Sequence, residues 1–374
     1  MISSCQRQGP ATAYYSKQQM DLMFTVLRRG AAMQYLSKDY TIRDLAKECG
    51  VSIATASKAL NGYYTDVSPK TREIVIQTAN RHGYIPNNAA QNLKRHSSRS
   101  VVLLFNDPQH PTVNASILIY TEITGRENYK LVVRYANGED MIVAALKAIK
   151  ENKAAGIIMV GDSIGGREKE VSRFGIPVLV LESAKGLDLE TAENVSCFCI
   201  NNIKESYRMT KYLIEKGARE IALFTTEQDC PKVGGLRTEG YKMALKEAGL
   251  VVEPNRIVNV EDIYFESGYK AAKKLIEQKI PFSALLCVSD NLSLGAMRAF
   301  HEEGIKVPKE VMVAGFDGSR FTDYVVPSIT TSYIPVEDIY RDSGQHLMDR
   351  ICRNAERAVK EYPGRILEKE STLT

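Results

Sequence analysis

The stretch that decides the fold runs from Thr41 to Gly62 and reads TIRDLAKECGVSIATASKALNG. Thr41 and Asp44 have the spacing of a capping pair, and apolar residues then recur at helical intervals until Gly50. Ser52 is placed to cap a second helix, so the stretch predicts two short helices joined by a glycine-containing turn. Such a hairpin can place its second helix in a groove of DNA, although an ordinary hairpin in a helix bundle has the same pattern.

The second helix is predicted to have one buried and one exposed face. The residues expected to face inward are Ala56, Ala59 and Leu60. Those expected on the outer side are Ile53, Ala54, Ser57 and Lys58. The small residues allow two helices to approach each other closely.

A third helix and a linker follow. Ser68-Pro69 is typical of a helix start and Gly83 of a stop, so this helix is expected to run to about His82. The apolar residues expected to close a three-helix head are Ile74, Val75 and Ala79. Residues 84–100, YIPNNAAQNLKRHSSRS, predict one or two polar helical turns, which are too short to be stable alone in water. This linker is therefore expected to become ordered only against a partner.

The charge of the chain is divided unevenly. Residues 1–100 carry 14 Lys and Arg against 6 Asp and Glu, a net charge of +8, whereas residues 101–374 carry a net charge of −4. A solvated basic face could produce this division. Its coincidence with a helical hairpin favours a polyanionic partner, because phosphate contacts supply most sequence-independent affinity.

Length and composition limit the class of protein. The 374 residues, 44% hydrophobic and 25% charged, predict a globular protein of two or three domains. No apolar run approaches the roughly 20 residues that span a bilayer, and no signal-peptide pattern begins the chain, so a cytoplasmic protein without membrane contact is expected. The 7 scattered cysteines favour reduced thiols. Cys197 and Cys199 are expected to be buried small apolar residues rather than zinc ligands.

No motif in the chain predicts catalysis. The sequence has no GxSxG elbow, Walker loop or HExxH motif, and its 5 histidines are dispersed. No catalytic residue, metal site or cofactor is therefore expected, and the protein is not expected to be an enzyme.

From Ser100 onward, apolar segments alternate with helical ones. Strands are expected at 101–105, 130–135, 156–160 and 177–181, and, after Ile200, at 221–225, 257–260, 284–288 and 311–316. Helices are expected at 203–217, 236–249, 266–279 and 291–303. This alternation predicts two successive α/β lobes with parallel sheets. Ligands bind beyond the carboxyl ends of such strands, so the cleft between the lobes is the expected small-molecule site.

Taken together, these motifs resemble the LacI/GalR family of bacterial transcription repressors over about residues 40–373. Besides the opening stretch, the segments that carry the resemblance are VSPKTREIV, GYIPNNAAQNLK, EKGAREIAL, RTEGYKMAL, SDNLSLGAMRAF, GIKVPKEVMVAGFDG, SITT and ESTL. The resemblance implies a helix-turn-helix head, a hinge helix and a core like a periplasmic sugar-binding protein. It also implies a homodimer or tetramer on a near-palindromic operator of duplex DNA, controlled by a sugar or sugar derivative in the cleft.

The expected domains follow from the motifs and the resemblance. They are an N-terminal extension of unknown role (1–39), a helix-turn-helix domain (40–86), a hinge helix and linker (87–99) and a two-lobed core (100–374). The extension is either an ordered helical segment packed on the head or the result of a wrongly assigned gene start. The resemblance implies three crossings between the lobes, with the first lobe at about 100–200 and 318–350 and the second at about 201–317 and 351–374.

The resemblance also assigns DNA contacts. Ile53 and Ala54 would supply base contacts by pressing on thymine methyl groups, although Ile53 could instead belong to the core. Leu93 matches the minor-groove wedge that is inserted between base pairs, although it could instead dock against the core lobe. The full set of candidate DNA-contacting residues is Thr41, Ser52, Ile53, Ala54, Thr55, Ser57, Lys58, Arg72, Asn87, Asn92, Leu93 and Lys94.

For the effector, the resemblance points first to Arg237 and Asp290. This pair could bracket a polyol or could form a structural ion pair. Asp317, Asn106 and Asp107 follow predicted strands and are further candidates, although Asp317 could simply hold its loop. Two other functions remain open: a regulator switched by a partner protein, and a cytoplasmic solute-binding receptor without gene control.

Overall fold

The computed structural model describes residues 40–60, 67–82, 84, 99–106, 113–161, 164, 166–181, 188, 190–226 and 232–373. The chain divides into two compact units, Met1–Lys94 and Arg95–Thr374. Several predictions fall outside the described residues. They are the extension at 1–39 and the candidate residues Asn87, Asn92, Leu93, Lys94 and Asp107.

In the described part of the first unit, three helices pack around a small apolar core. They are α1 (Ile42–Glu48), α2 (Ile53–Leu60) and α3 (Pro69–Arg81), which confirms the predicted hairpin and third helix. The buried core consists of Leu45, Ala46, Ala56, Ala59, Val67, Val75 and Ala79. The prediction for Ile74 was wrong, since its side chain is 44% exposed. Val75 and Ala79 lie one helical turn apart on the buried face, and Ile74 is rotated away from that face.

Local hydrogen bonds fix the start of α1 and the turn that follows this helix. The Thr41 backbone N–H donates to Asp44 Oδ2 at 2.9 Å, and the Asp44 N–H donates to Thr41 Oγ1 at 3.3 Å, which completes the capping box. Gly50 has a φ of +63°, a left-handed conformation that glycine adopts without strain. This turn lets the Val51 N–H donate to the Ala46 carbonyl at 2.9 Å and ends α1.

The second unit contains two six-stranded sheets, parallel except for the last strand of the second. In spatial order the first sheet is β11 (Val359–Tyr362), β5 (Val195–Ile200), β4 (Val178–Val180), β3 (Gly156–Val160), β1 (Ser100–Phe105) and β2 (Lys130–Tyr135). The second sheet is β12 (Arg365–Leu367), β10 (Thr330–Tyr333), β9 (Met312–Asp317), β8 (Ala284–Cys287), β6 (Ile221–Thr225) and β7 (Ile257–Asn259). The helices of this unit are α4 (Val113–Arg126), α5 (Met141–Asn152), α6 (Glu168–Ser172), α7 (Asn202–Glu215), α8 (Val233–Glu247), α9 (Phe265–Glu277), α10 (Asp290–Glu302) and α11 (Val336–Arg353).

Each sheet and its helices form one lobe. Lobe 1 contains the first sheet with α4, α5, α6 and α11, and lobe 2 contains the second sheet with α7 to α10. The central strands are buried along their whole length, because helices cover both faces of a parallel sheet. Glycines bring helices together in lobe 2. A Cβ on Gly240 of α8 would lie 2.1 Å from the Ile203 carbonyl oxygen of α7, so these helices pack backbone to backbone.

The chain crosses between the lobes three times: after β5, between β10 and α11, and between β11 and β12. The expected positions of the second and third crossings were wrong. Residues 318–333 stay in lobe 2 because β10 pairs with β9, and the strand β11 belongs to lobe 1 because it pairs with β5. The sequences of these strands, TTSY and VKEY, are not the apolar runs by which buried strands are recognised.

A buried carboxylate holds the third crossing to lobe 2. Glu205 in α7 is 2% exposed, and its Oε1 accepts a hydrogen bond from the Gly364 N–H at 3.2 Å. Arg208 Nη1 lies 2.9 Å from Glu205 Oε2 and donates to the Gly364 carbonyl at 2.9 Å. A Cβ on Gly364 would lie 2.6 Å from Glu205 Oε2. A side chain at residue 364 would therefore have to displace the Glu205 carboxylate from its hydrogen bonds.

The described part of the chain has neither a membrane-spanning helix nor a metal centre. None of its helices combines the length and the hydropathy needed to cross a bilayer. No group of three His, Cys, Asp or Glu among these residues could hold a metal ion. Cys197 and Cys199 are buried within β5.

Candidate nucleic-acid interface and effector cavity

The first turn of α2 forms an exposed surface on the first unit. Ile53 is 47% exposed, and Ala54 and Lys58 are exposed beside it, whereas Ala56 and Ala59 are buried on the opposite face. The alternative that Ile53 belongs to the core was therefore wrong. An isoleucine held at the start of a helix, half in solvent, is available for contact with a partner. Its contact with DNA bases remains a prediction.

Hydroxyl groups surround this surface. Ser52 Oγ accepts a hydrogen bond from the Thr55 N–H at 3.0 Å and lies 2.8 Å from Thr55 Oγ1, so Ser52 caps α2 as predicted. Ser57 and Thr55 are half-buried, and so is Arg72 in α3. Thr41 is exposed, but its side chain is used in the capping box of α1. DNA contacts by these residues are untested expectations.

A cavity of about 370 Å³ lies in the second unit, between the lobes and at the carboxyl ends of their strands. Its wall includes Val160, Leu181, Ile200 and Ile339 from lobe 1. From lobe 2 it includes Asn202, Arg237, Asp262, Ser289 and Asp317. Of the five predicted effector residues, Asn106, Arg237 and Asp317 therefore lie on this wall.

Arg237 is the central polar group of the lobe 2 wall. Its side chain is 5% exposed. Nε donates to Asn202 Oδ1 at 3.0 Å, and Nη1 donates to the Val288 carbonyl oxygen and lies 3.8 Å from Asp317 Oδ1. The guanidinium also stacks on the ring of Phe316, 4.2 Å from its centroid. One side chain thus connects the first crossing, at Asn202, to the ends of β8 and β9.

Gly234 determines where α8, and with it Arg237, begins. A Cβ on Gly234 would lie 1.9 Å from the Thr226 carbonyl oxygen, so only glycine allows the helix to start this close to the end of β6. Arg237 follows one turn later and points into the cavity wall. Gly234 therefore sets the position of the motif RTEGYKMAL, which begins three residues later at Arg237.

Asp317 has a strained backbone. Its φ is +108°, in a region that residues with a side chain rarely adopt, and Gly318 follows with a φ of +72°. A Cβ on Gly318 would lie 2.6 Å from the ring of Tyr333, so this turn passes close to β10. Strain of this kind persists when the surroundings impose it and is frequent at ligand sites.

Neither role expected for Arg237 and Asp290 together, bracketing a polyol or forming a structural ion pair, is found among the described residues. Asp290 is fully buried, and its Oδ2 accepts a hydrogen bond from the Ser319 N–H at 2.7 Å. It lies behind the described cavity wall, and the carboxylate beside Arg237 is that of Asp317. Burial and the nearby Asp317 carboxylate raise the pKa of Asp290 to about 8. Asp290 thus supports the loop after β9 as a largely protonated acid at neutral pH.

This raised pKa predicts a pH dependence of stability. Between the ordinary pKa of an aspartate, about 4, and a pKa of about 8, the folded state holds a proton that the unfolded state has lost. The free energy of unfolding is therefore expected to fall as pH rises through this window. Asp290→Asn should remove this contribution, which urea unfolding at pH 5, 7 and 9 would reveal. The exposed Asp338→Asn should keep the wild-type profile, and parallel curves for all three proteins would contradict the assignment.

Sequence reasoning missed Asn202 as a cavity residue. It is 3% exposed, begins α7 directly after β5 and accepts the Arg237 hydrogen bond. Lys232, Glu261 and Asp262 on the lobe 2 wall were also missed. All four follow the carboxyl end of a strand, and that position was the available signal.

Two protein-family models match the chain. The model described as bacterial regulatory proteins, lacI family, matches residues 41–87, and a periplasmic binding protein-like domain matches residues 210–372. The chain therefore has a LacI-family helix-turn-helix domain and a periplasmic-binding-protein-like domain. The lacI-family match overlaps the predicted helix-turn-helix domain at 40–86, and the periplasmic binding protein-like match lies within the two-lobed core.

Named relatives of this LacI-family chain are transcriptional regulators. The HTH-type transcriptional repressor CytR of Escherichia coli (strain K12) is 29% identical over 317 residues, which are 83% of this chain and 89% of CytR. The structure of the transcriptional regulator CelR–cellobiose complex is 25% identical with a TM-score of 0.64, covering 89% of this chain and 100% of that one. The lac repressor dimer bound to operator and the anti-inducer ONPF shares the fold, with 21% identity, a TM-score of 0.76 and coverage of 90% and 100%. The prediction of a LacI-family transcriptional regulator is confirmed.

Proposed function

We propose that this LacI-family regulator is a cytoplasmic repressor that binds a near-palindromic operator as a homodimer and has no catalytic activity. The exposed first turn of α2, in a segment of net charge +8, is the observation that supports this most directly. Ile53 and Ala54 contact base edges in the major groove, and Ser52, Lys58 and Arg72 contact phosphates. The segment at 87–99 supplies the hinge, with Leu93 as its wedge.

A small molecule in the cavity controls this binding. CelR, which is similar over most of the chain, was solved with cellobiose, and this favours a sugar or sugar derivative here. Arg237 is placed to carry the signal, because it lines the cavity and holds Asn202 at the first crossing. A ligand that hydrogen-bonds to Arg237 or Asp317 changes the contacts that Arg237 makes between the first crossing and the ends of β8 and β9.

The control works by population shift between two arrangements of the lobes. A ligand shifts this equilibrium only as far as its affinities for the two arrangements differ. Couplings of about 1–3 kcal/mol, or 5–150-fold in operator affinity, are typical of such switches. Titration of operator binding by the full chain against a sugar panel tests the proposal. A response to a purified protein but to no small molecule would instead support a regulator switched by a partner, and failure to prefer any DNA site would support a solute receptor.

Exchange of the α2 surface residues should change which operator is preferred. Ile53→Ala removes apolar contact with a base edge, so discrimination at the contacted position should fall by up to the roughly 1–3 kcal/mol that a mismatched base pair typically costs. Selection from randomised duplexes, followed by anisotropy titration, measures this change. Ile76→Ala is the matched control, because Ile76 is 39% exposed in α3 and lies outside α2. If Ile53→Ala and Ile76→Ala select the same site as the wild type, Ile53 does not read the operator.

A further inference from the structure

The residue that precedes the first helix of the head packs against the residues that follow the third. Tyr40 directly precedes the Thr41 cap of α1, and α3 ends at Arg81. The Tyr40 ring stacks on the His82 ring, with centroids 4.3 Å apart and planes at 6°, and meets the Tyr84 ring edge-on at 6.3 Å. The two ends of the described head therefore lie side by side.

An acid of α1 holds these rings together. Tyr40 Oη donates to Glu48 Oε2 at 2.5 Å, and His82 Nε2 lies 3.0 Å from Glu48 Oε1, so both carboxylate oxygens are used. The hydrogen bonds with Tyr40 and with His82 lower the pKa of Glu48, which is therefore ionised at neutral pH. We name Tyr40, Glu48, His82 and Tyr84 the Tyr40 clamp.

The Tyr40 clamp fixes where the linker leaves the head. The His82 N–H donates to the Thr78 carbonyl at 3.1 Å. The Tyr84 N–H donates to the Ala79 carbonyl at 2.8 Å, so the backbone stays attached to α3 as far as Tyr84. The Tyr84 side chain packs against the apolar core of the head, as that of Tyr40 does. Backbone and side chain together hold Tyr84 in one orientation, and the linker to the second unit continues from this residue.

The α2 helix is fixed relative to the same point. Its buried residues Ala56 and Ala59 belong to the apolar core on which Tyr40 and Tyr84 pack. The exposed first turn of α2 and the start of the linker are therefore parts of one rigid head. In a homodimer on a near-palindromic operator, each α2 meets one half-site, and the half-site spacing follows from the separation of the two helices. The direction in which each linker starts is one determinant of that separation.

We propose that the Tyr40 clamp sets the spacing of the two operator half-sites, with Tyr40 as a positioning residue. This inference rests on the proposed function, since it concerns the same homodimer on DNA. With the clamp intact, the linkers leave both heads in one direction, and the two α2 helices fit one spacing. Without the Tyr40 ring, Tyr84 loses its aromatic partner and the heads turn more freely on their linkers. Operators with neighbouring spacings then become acceptable.

Operators of altered spacing test this role. The site that the wild type selects from randomised duplexes is rebuilt with one base pair fewer or more between its half-sites. Each such change alters their separation by about 3.4 Å and their relative rotation by about 35°. We expect the wild type to prefer its own spacing by about tenfold or more, and Tyr40→Ala to reduce this ratio to about threefold or less. Anisotropy titration of the full chain with each duplex measures the ratio.

The ratio separates positioning from stability. A general loss of head stability weakens binding to every duplex by the same factor and leaves the ratio unchanged. His82→Ala removes the ring that stacks on Tyr40 and should relax the ratio in the same direction, and it replaces Tyr40→Ala if that variant does not fold. Gln77→Ala is the control, because Gln77 is exposed in α3 and binds Glu73 outside the clamp.

Three results would overturn the inference. They are a wild-type ratio in both clamp variants, an equal relaxation of the ratio in Gln77→Ala, and a wild type that accepts all spacings equally. Each of these leaves the proposed function standing as long as the wild type selects an operator. Failure of the wild type to select any DNA site overturns the proposed function itself.

Discussion

Arg237→Ala is expected to abolish the response of operator binding to effector while leaving a preferred operator. The substitution removes the donors that hold Asn202, the Val288 carbonyl and Asp317, so the cavity and the first crossing lose their shared side chain. The ratio of operator affinities with and without effector, typically 5–150-fold in such switches, should fall to about one. Because truncation also leaves buried polar partners unpaired, unfolding in urea should require about 3 kcal/mol less. Anisotropy titration of the operator with and without each sugar of the panel measures the coupling.

Two control variants separate the role of Arg237 from general damage. Arg237→Lys keeps the charge but cannot donate to three partners from one plane, so stability should largely recover while the response stays lost. Arg256 of lobe 2 does not line the cavity, and its Nη2 lies 2.6 Å from Glu220 Oε1. The variant Arg256→Ala should therefore respond to effector as the wild type does. Wild-type sensitivity in Arg237→Ala would place the effector elsewhere or indicate a protein partner.

Glu205→Ala should cause a large loss of stability although Glu205 does not line the cavity. The carboxylate is 2% exposed, and its removal leaves the Gly364 N–H unpaired, Arg208 without its anion and a void beside the third crossing. We expect the free energy of unfolding to fall by about 3 kcal/mol. Urea unfolding followed by circular dichroism measures this loss.

An exposed glutamate of the neighbouring helix is the matched control. Glu247 in α8 binds Tyr207 Oη at 2.6 Å on the surface, and its truncation should leave the unfolding midpoint almost unchanged. Glu205→Gln keeps the shape of the side chain and should lose less than Glu205→Ala. A wild-type midpoint in Glu205→Ala would mean that other contacts hold the crossing.

Most of the architecture could be predicted because the central strands are unbroken apolar runs. The predicted strands at 156–160 and 221–225 coincide with the interior strands β3 and β6. The failures have a common cause. β11, VKEY, is an exposed edge strand, and β10 buries threonine and serine, so neither carries the apolar signal of a central strand. The lobe boundaries were therefore misplaced in this part of the chain.

The candidate site was predicted less well because strand ends indicate position but not side-chain direction. Arg237 lies on the cavity wall, as its position near the start of a predicted helix suggested. Asp290, at the start of α10, turns into the protein and supports Ser319 instead. The role of Asp317 beside Arg237 depends on a left-handed backbone, which no residue pattern around it indicates. Tertiary packing determines these side-chain directions and backbone conformations.

The contact between Glu205 and Gly364 also constrains how this sequence can diverge. These residues are separated by 158 others in the chain, yet the space that a Cβ at 364 needs is occupied by the Glu205 carboxylate. A side chain at 364 avoids the clash with the Glu205 carboxylate when position 205 holds a small residue. A small residue at 205 in turn leaves a void that a side chain at 364 can fill. Related regulators should therefore change the two positions together. Sequences that combine glutamate at 205 with a residue larger than glycine at 364 should be rare.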